Sequence, residues 1–521
     1  MTIYEMKTVV VLGGAYAGAR TVQVLSKGLP EGWRIVLVDR NTHINHVYVF
    51  PRLAILPGHE HKGFIPFSRL LDPTRHQDLC LHASVRSVHS SYVVLDKSFP
   101  ERGVPTPELR FDYLVYALGS RLPAPLDLWG SSPKSGRASH KDAVVFKPYA
   151  GTKQEGISWL KTHQEVIKSS DSILVVGGGA LGIQFATDIS AIYPYKTITL
   201  LHSRHRLLPR FDEKMHTEIM DALLASNIQV ILGERLDMQS ILFADAIKLN
   251  KQGQRVARTL QGREVTADLI LLCTGQKPNT HLLSAMDARC VNAHDGLAHV
   301  LRTMQLGVIL STSPPTPSNF TSESSTPSPS WSAFTSTSST SSLLSPEQEL
   351  ENALAQVALA EKNVEIEESL SGLPMSEEDD DVLDSDLDGS DVAELSTPYP
   401  NIFVAGDAAD AFGAIPAGHT AYYQGEVAAR NILRLIQRSE PPLKTEISQD
   451  EGVLVTEEEE ERLEHYAPGL PAIKISLGLT KSAYQANGVV RTADDGVPDL
   501  NAAAIWGYFG YEVEKEEDMY A

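Results

Sequence analysis

The sequence predicts an α/β protein: two doubly wound parallel-sheet domains, a small C-terminal domain and a long unstructured insertion. Two strand–turn–helix–strand units with glycine-rich first turns lie about 165 residues apart. Further apolar strand-like segments follow each unit, and two of these end in a small-x-Gly turn. The composition breaks abruptly near Leu310 and recovers at Tyr399.

A chain of 521 residues is too long for a single core, since chains divide beyond about 250–300 residues. Apolar residues make up 42% and charged residues 21%, which excludes wholesale disorder, a coiled coil or a collagen-like chain. Cys80, Cys273 and Cys290 are the only cysteines and show no Cys-x-x-Cys spacing. That excludes a disulfide framework, a four-thiolate zinc site and a dithiol redox motif. The net charge of −21 is mostly local: residues 308–396 hold 18 acids against one lysine, and the remainder is near −4. No concentrated Lys/Arg surface stands out, so nucleic acid is not an expected partner. No apolar run reaches the roughly 18 residues of a membrane span. MTIYEMKTVVVLGG lacks the cationic flank and cleavage site of a signal peptide. The expected location is cytoplasmic, with peripheral contact at a membrane or lipid-droplet surface left open.

The first unit opens with TVVVL (8–12), a continuous apolar run suited to a strand buried on both faces. A helix follows, with Ala17, Val22, Leu25 and Leu29 at helical spacing, and then a strand, RIVLVD, ending at Asp39. The second unit repeats this: SILVV (172–176), a helix after GGGALG, and TITLLH ending at His202. Tyr92–Leu95, Tyr113–Tyr116, Ile228–Leu232 and Leu269–Leu272 read as further strands.

Gly177-x-Gly179-x-x-Gly182 stands directly between a strand and a helix. The first glycine makes the turn and the second lets backbone approach a pyrophosphate. The third lets helix and strand pack closely, so the helix N-terminus faces the phosphate charge. This context predicts a dinucleotide site. The N-terminal copy has Gly13, Ala15 and Gly18 at the three positions, with Gly14 beside them. Asp39, 21 residues after Gly18, is placed to accept hydrogen bonds from both ribose hydroxyls of an adenosine. The matching place in the second unit has His202-Ser203-Arg204 and no acid. A carboxylate would repel a 2′-phosphate, whereas these residues accommodate one, which leans toward NADPH or toward indifference between NADPH and NADH.

YLVYALG (ending Ala117-Leu118-Gly119) and LILLCTG (ending Cys273-Thr274-Gly275) are matching strands that return the chain to the nucleotide sites. NIFVAGD ends in Gly406-Asp407, which can present a carboxylate to a ribitol hydroxyl. The helix starting near Gly418 would aim its positive end at a flavin. From Ser311 to Pro346, 28 of 36 residues are Ser, Thr or Pro, and an acidic run fills 376–391. Such a stretch cannot bury enough apolar surface to offset its conformational entropy. A helix is expected only at Glu347–Glu368. Cys273 reads as a small core residue rather than a nucleophile. His43 and His46 read as polar residues, and no metal site is expected. His419 reads equally as a flavin-polarising group or as a plain helix-start residue.

In this order, VVVLGGAYAG, DYLVYALG, ILVVGGGALG, LILLCTGQKP and NIFVAGDAAD resemble the two-dinucleotide-binding-domain flavoproteins. The fold implied is two Rossmann-like FAD/NAD(P)-binding domains, as in pyridine nucleotide-disulfide reductases. Within them the chain is most similar to the apoptosis-inducing-factor-like, ferroptosis-suppressor type of NAD(P)H:quinone oxidoreductase. The resemblance implies FAD in the first site, NAD(P)H in the second, and a quinone-like electron acceptor. It places Gly13, Gly14, Ala15 and Gly18 on the FAD pyrophosphate and Asp39 on its ribose. It also places Arg52, Val85 (by its backbone) and Asp407 on FAD, and Gly177, Gly179 and Gly182 on the nicotinamide nucleotide. Many relatives have Glu two residues after the third glycine, where this chain has Gln184.

The domains implied are 1–145, 269–308 and 397–440 for FAD, 146–268 for NAD(P), 309–396 as a disordered insertion and 441–521 as a C-terminal domain. The cofactor would carry the chemistry, so no catalytic side chain is assigned. A flavin disulfide reductase is disfavoured by the cysteine spacing, and no linker signature supports a monooxygenase. A rival of another class is a non-catalytic NADH-sensing flavoprotein whose acidic insertion recruits an unidentified protein.

Overall fold

The computed structural model describes residues 6–123, 126, 149–242, 248–309, 395–439, 462–494 and 496–520. The first sheet is built from β1 (Lys7–Leu12), β2 (Trp33–Asp39), β3 (Leu79–His82) and β4 (Tyr113–Tyr116), with helix α1 (Tyr16–Gly28) after β1. The second contains α2 (Lys153–Ser169), β5 (Ser172–Val176), α3 (Ala180–Ile192), β6 (Thr197–His202), α4 (Glu213–Ala225), β7 (Gln229–Leu232) and β8 (Leu269–Leu272). The chain returns through β9 (Ile402–Val404) and α5 (Gly418–Ser439), then ends with β10 (Ile473–Ser476), β11 (Lys481–Ala486) and β12 (Val489–Asp494).

The first sheet has the order β9-β4-β1-β2-β3 and the second β7-β6-β5-β8. Every pairing in both is parallel. Strands β1 and β5 sit inside their sheets, which is why they read as unbroken Val/Ile/Leu runs: both faces are covered. In each sheet the C-terminal end of the inner strand carries the glycine loop, the place where ligands bind in open α/β sheets.

Helix α1 lies against α5 at small residues. A Cβ on Gly425 would fall 2.2 Å from the Ala17 carbonyl oxygen, so only glycine permits this approach. Thr21 Oγ1 donates to the Gly425 carbonyl at 3.1 Å, and Arg20 pairs with Glu426 at 3.1 Å in a buried contact. The start of α5 is thereby fixed beside the first glycine loop.

One boundary drawn from the sequence moves. The sequence implies that the strand Leu269–Leu272 belongs to the first nucleotide domain. It pairs in parallel with β5, from Ile173↔Leu269 to Val176↔Leu272, and so belongs to the second sheet. The tail packs on both cores: Ile475, Leu477 and Ala483 join that of the second sheet, and Trp506, Phe509 and Met519 that of the first. The described residues within 1–308 and 397–521 form one compact unit. The insertion expected at 309–396, with its helix at 347–368, lies almost wholly outside the described residues. Among the described residues no helix is long and apolar enough to cross a membrane.

Candidate functional site

Helices α2 and α4 are capped by side chains at their N-termini, by Thr152 in a capping box with Glu155 and by Asp212. Helices α1 and α3 are not. Their N-caps are Ala15 and Gly179, and neither makes a side-chain capping bond. Uncapped N–H groups at the end of a helix dipole are a ready anion site. The residues that could have capped α1 and α3 are replaced by small ones in front of each N-terminus.

The loops themselves are tight. A Cβ on Gly18 would lie 1.8 Å from the Gly13 carbonyl oxygen, and one on Gly182 would lie 1.9 Å from that of Gly177. Gly13 packs on the Ala117 carbonyl and Gly177 on that of Cys273, so the ends of β4 and β8 close each loop from behind. A Cβ on Gly179 would meet nothing within 4 Å, which leaves room in front of α3 for a pyrophosphate. The residues present therefore fit a dinucleotide at each loop.

Asp39 Oδ2 accepts from the Gly14 N–H at 2.8 Å, and Oδ1 accepts from Asn41 N (2.7 Å) and Nδ2 (3.0 Å). Burial raises the carboxyl above its ordinary value, and these three bonds oppose the rise. A cavity of about 380 Å³ opens beside it, lined by Asn41, Thr42, Phe67 and His82 among others. Val85 opens an antiparallel strand (Val85–Val88) close by: Ala83 N donates to the Asp39 carbonyl at 2.9 Å.

In the second loop Gly178 N–H donates to His202 Nδ1 at 3.0 Å, the counterpart of the Gly14–Asp39 bond. A neutral His202 then carries its proton on Nε2, which is buried without a partner, as is Gln184 Nε2. Burial lowers the His202 pKa. The Arg204 side chain is exposed.

The two sheets meet through a short antiparallel ribbon, Ser120–Arg121 against Lys277–Pro278. It brings together the three turns that end β4, β8 and β9. Ser120 follows Gly119, Gln276 follows Gly275, and Asp407 follows Gly406. Ser120 Oγ lies 2.5 Å from Gln276 Oε1 and 2.9 Å from Asp407 Oδ2. Gly406 N donates to Gln424 Oε1 of α5 at 2.7 Å. Burial raises the Asp407 carboxyl and the Ser120 bond opposes this. Asp407 and Gly406 also line a cavity of about 200 Å³ with Thr420 and Gln424. Reading the sequence missed Ser120, Gln276 and Gln424. The first two were within reach, because each directly follows a small-x-Gly turn.

Arg52 does not serve the role implied for it on FAD. Its guanidinium is 0% exposed and spends all five N–H donors within the protein. Nε and Nη2 hold Asp188 of α3 at 2.8 and 2.9 Å, and the remaining donors meet the carbonyls of Gly478, Leu479 and Pro498. It is a clamp joining the first domain, α3 and the tail. Removing one member of such a buried pair costs about 3–5 kcal/mol, because the other charge is left without compensation.

The cysteines are free and stand in separate elements. Burial pushes the Cys80 and Cys290 thiols up to about 12 and raises Cys273 further. They are held as thiols, not thiolates. Burial lowers the His419 pKa. Among the described residues no group of three or more His, Cys, Asp or Glu side chains is placed to hold a metal ion.

Two glycine loops on parallel sheets, joined where their strands end, define a two-nucleotide oxidoreductase of the flavoprotein type. The profile of the pyridine nucleotide-disulphide oxidoreductase family matches residues 7–305, more than half the chain, and the protein belongs to that family. It is 34% identical over 512 residues to Fe-regulated protein 8 of Mycosarcoma maydis, covering 96% of this chain and 94% of the relative. It is 26% identical over 282 residues to ferroptosis suppressor protein 1 of Homo sapiens, covering 52% of this chain and 63% of that one. The sulfide:quinone oxidoreductase of Aquifex aeolicus shares the fold, with a TM-score of 0.54 at 14% identity over 96% of this chain and 90% of that chain. The cofactors are those of the family, FAD and NAD(P)H.

Proposed function

We propose that the protein is an FAD-dependent NAD(P)H oxidoreductase with a quinone-like acceptor, FAD lying on the first glycine loop and NAD(P)H on the second. The observation that carries this reading is the Ser120–Gln276–Asp407 cluster, where the ends of both sheets converge. Bound FAD would supply the two-electron chemistry that links NAD(P)H to the acceptor.

The chain supplies position and field. The uncapped starts of α1 and α3 hold phosphate charge. Asp39, fixed by three N–H donors, takes the ribose of one nucleotide, and neutral His202 admits the other with or without a 2′-phosphate. Asp407, steadied by Ser120, takes a ribitol hydroxyl, and the start of α5 lends its positive end. With three separate protonated thiols and no dithiol, the acceptor must receive electrons directly, which a quinone does.

The test is anaerobic titration of the purified protein with NADH and NADPH, followed by turnover with menadione or ubiquinone. The expected result is a yellow protein that either nicotinamide bleaches and that turns over well above free flavin. A protein that takes up no FAD contradicts the reading. Bleaching without turnover above free flavin favours the sensor instead.

A further inference from the structure

We propose that Tyr16 and His46 form a proton-delivery pair for the acceptor, with Tyr16 as the donor and His46 as the residue that positions and recharges it. The proposal deepens the quinone reading above and rests on it.

The pair is built, not incidental. Tyr16 Oη lies 3.0 Å from His46 Nδ1. Tyr16 is the first residue of α1 and is held at φ +31°, a left-handed conformation that L side chains rarely adopt. Strain of this kind concentrates where a side chain must be aimed. What it aims is a phenol lodged between two helix starts: a Cβ on Gly418, the first residue of α5, would fall 2.8 Å from the Tyr16 ring. The Tyr16 ring also packs with Ala405, next to Gly406 and Asp407, and with Ala421 of α5, which places it by the Asp407 end of the cluster.

The other end of the pair leads outward. His46 is 8% exposed, and its ring lies 6.0 Å from that of Tyr48, which is 41% exposed. Val47 beside it is 46% exposed. An apolar, aromatic rim open to solvent thus stands over a buried imidazole and a phenol that reaches the site. Burial holds the Tyr16 hydroxyl well above its ordinary range and His46 at about 4. At neutral pH the phenol keeps its proton to give and the ring is neutral, free to pass one on.

A quinone, NAD(P)H and one H⁺ yield a quinol and NAD(P)⁺. The nicotinamide provides both electrons and one hydrogen, and the pair provides the other as a proton. The acceptor oxygen takes the Tyr16 proton, His46 Nδ1 returns one to Tyr16 Oη, and solvent supplies His46 at Nε2. The ring regains its first tautomer by exchange with solvent.

The experiment compares Tyr16→Phe and His46→Asn with the wild type. Each is assayed with menadione, which needs protons, and with ferricyanide, which takes electrons alone. In Tyr16→Phe the ratio of menadione to ferricyanide turnover is expected to fall about 100-fold, the usual scale of a lost general acid. In His46→Asn it should fall about tenfold, since water can partly replace the ring. The slowing of menadione reduction in heavy water should grow in Tyr16→Phe, where proton delivery becomes the slow step, while ferricyanide reduction stays insensitive to heavy water, a change that a merely structural role would not produce. A ratio within about twofold of wild type in both variants, or equal loss with both acceptors, overturns the proposal alone. A wild type that NAD(P)H bleaches but that cannot reduce menadione overturns the quinone reading, and this proposal with it.

Discussion

The two glycine loops share a pattern of hydrogen bonds and close packing and differ in chemistry at one side chain. In both, the N–H of the residue after the first glycine, Gly14 or Gly178, reaches the last residue of the neighbouring strand, at 2.8 Å to Asp39 and 3.0 Å to His202. In both, the third glycine rests on the carbonyl of the first. On the proposed reading, the shared part would serve what any dinucleotide has, a pyrophosphate, and the differing part what distinguishes dinucleotides, the ribose and its substituents. Burial acts on both side chains by favouring the neutral form, raising Asp39 and lowering His202. The acid is held against that trend by three N–H donors, whereas the imidazole simply stays neutral.

The largest effect should come from breaking the shared part. An Ala at Gly18 or Gly182 must displace a carbonyl now 1.8 or 1.9 Å from the new atom. The cost lies at or beyond the upper end of the roughly 1–3 kcal/mol of overpacking. Gly18→Ala should yield protein without flavin, and Gly182→Ala protein that keeps its flavin but is no longer bleached by NAD(P)H. Absorbance spectra before and after anaerobic NADH decide it, and loss of the same cofactor in both variants would break the assignment of one nucleotide to each loop.

A smaller effect separates the surroundings of the loops. His43 and His46 follow Asp39, and burial holds both at about 4 against an ordinary 6.5. In the fold they stay neutral, while the unfolded chain protonates them below 6.5. Their contribution is therefore full above that value and is lost as pH falls toward 4, roughly 2–3 kcal/mol for each ring. Urea unfolding near pH 7.5 and near pH 5 should show a drop that His43→Gln reduces; an unreduced drop would remove His43 from the account.

The smallest effect sharpens the difference itself. His202→Asp gives the second loop the first loop's acid, which should repel a 2′-phosphate. The ratio of KM for NADPH to KM for NADH should rise about tenfold, and an unchanged ratio would mean that selection lies elsewhere than at the strand end.

Legibility followed distance along the chain. Strands β5, β6 and β8 were read to the residue, because a buried parallel strand is a continuous apolar run and a glycine loop ends it within a few positions. The sheet to which β8 belongs was misjudged, since an apolar run does not state its neighbour. Arg52 failed for a similar reason. Its partner Asp188 is 136 residues away and its carbonyl acceptors more than 400, and no periodicity links them. Nothing in the sequence pairs Tyr16 with His46, because a tyrosine in a glycine loop and a histidine thirty residues on look like two unrelated polar residues.

The amino-acid order alone placed the two glycine loops between a strand and a helix, with Asp39 and His202 at the strand ends. Each is a matter of backbone clearance and charge within about thirty residues, the length of one βαβ unit. Folding in three dimensions decided which residues the loops share. Ser120 meets Gln276 across 156 residues and Asp407 across 287. Such contacts arise only when sheets pack and a ribbon joins them, and hydrogen bonds between distant side chains leave no repeating trace in the chain that makes them.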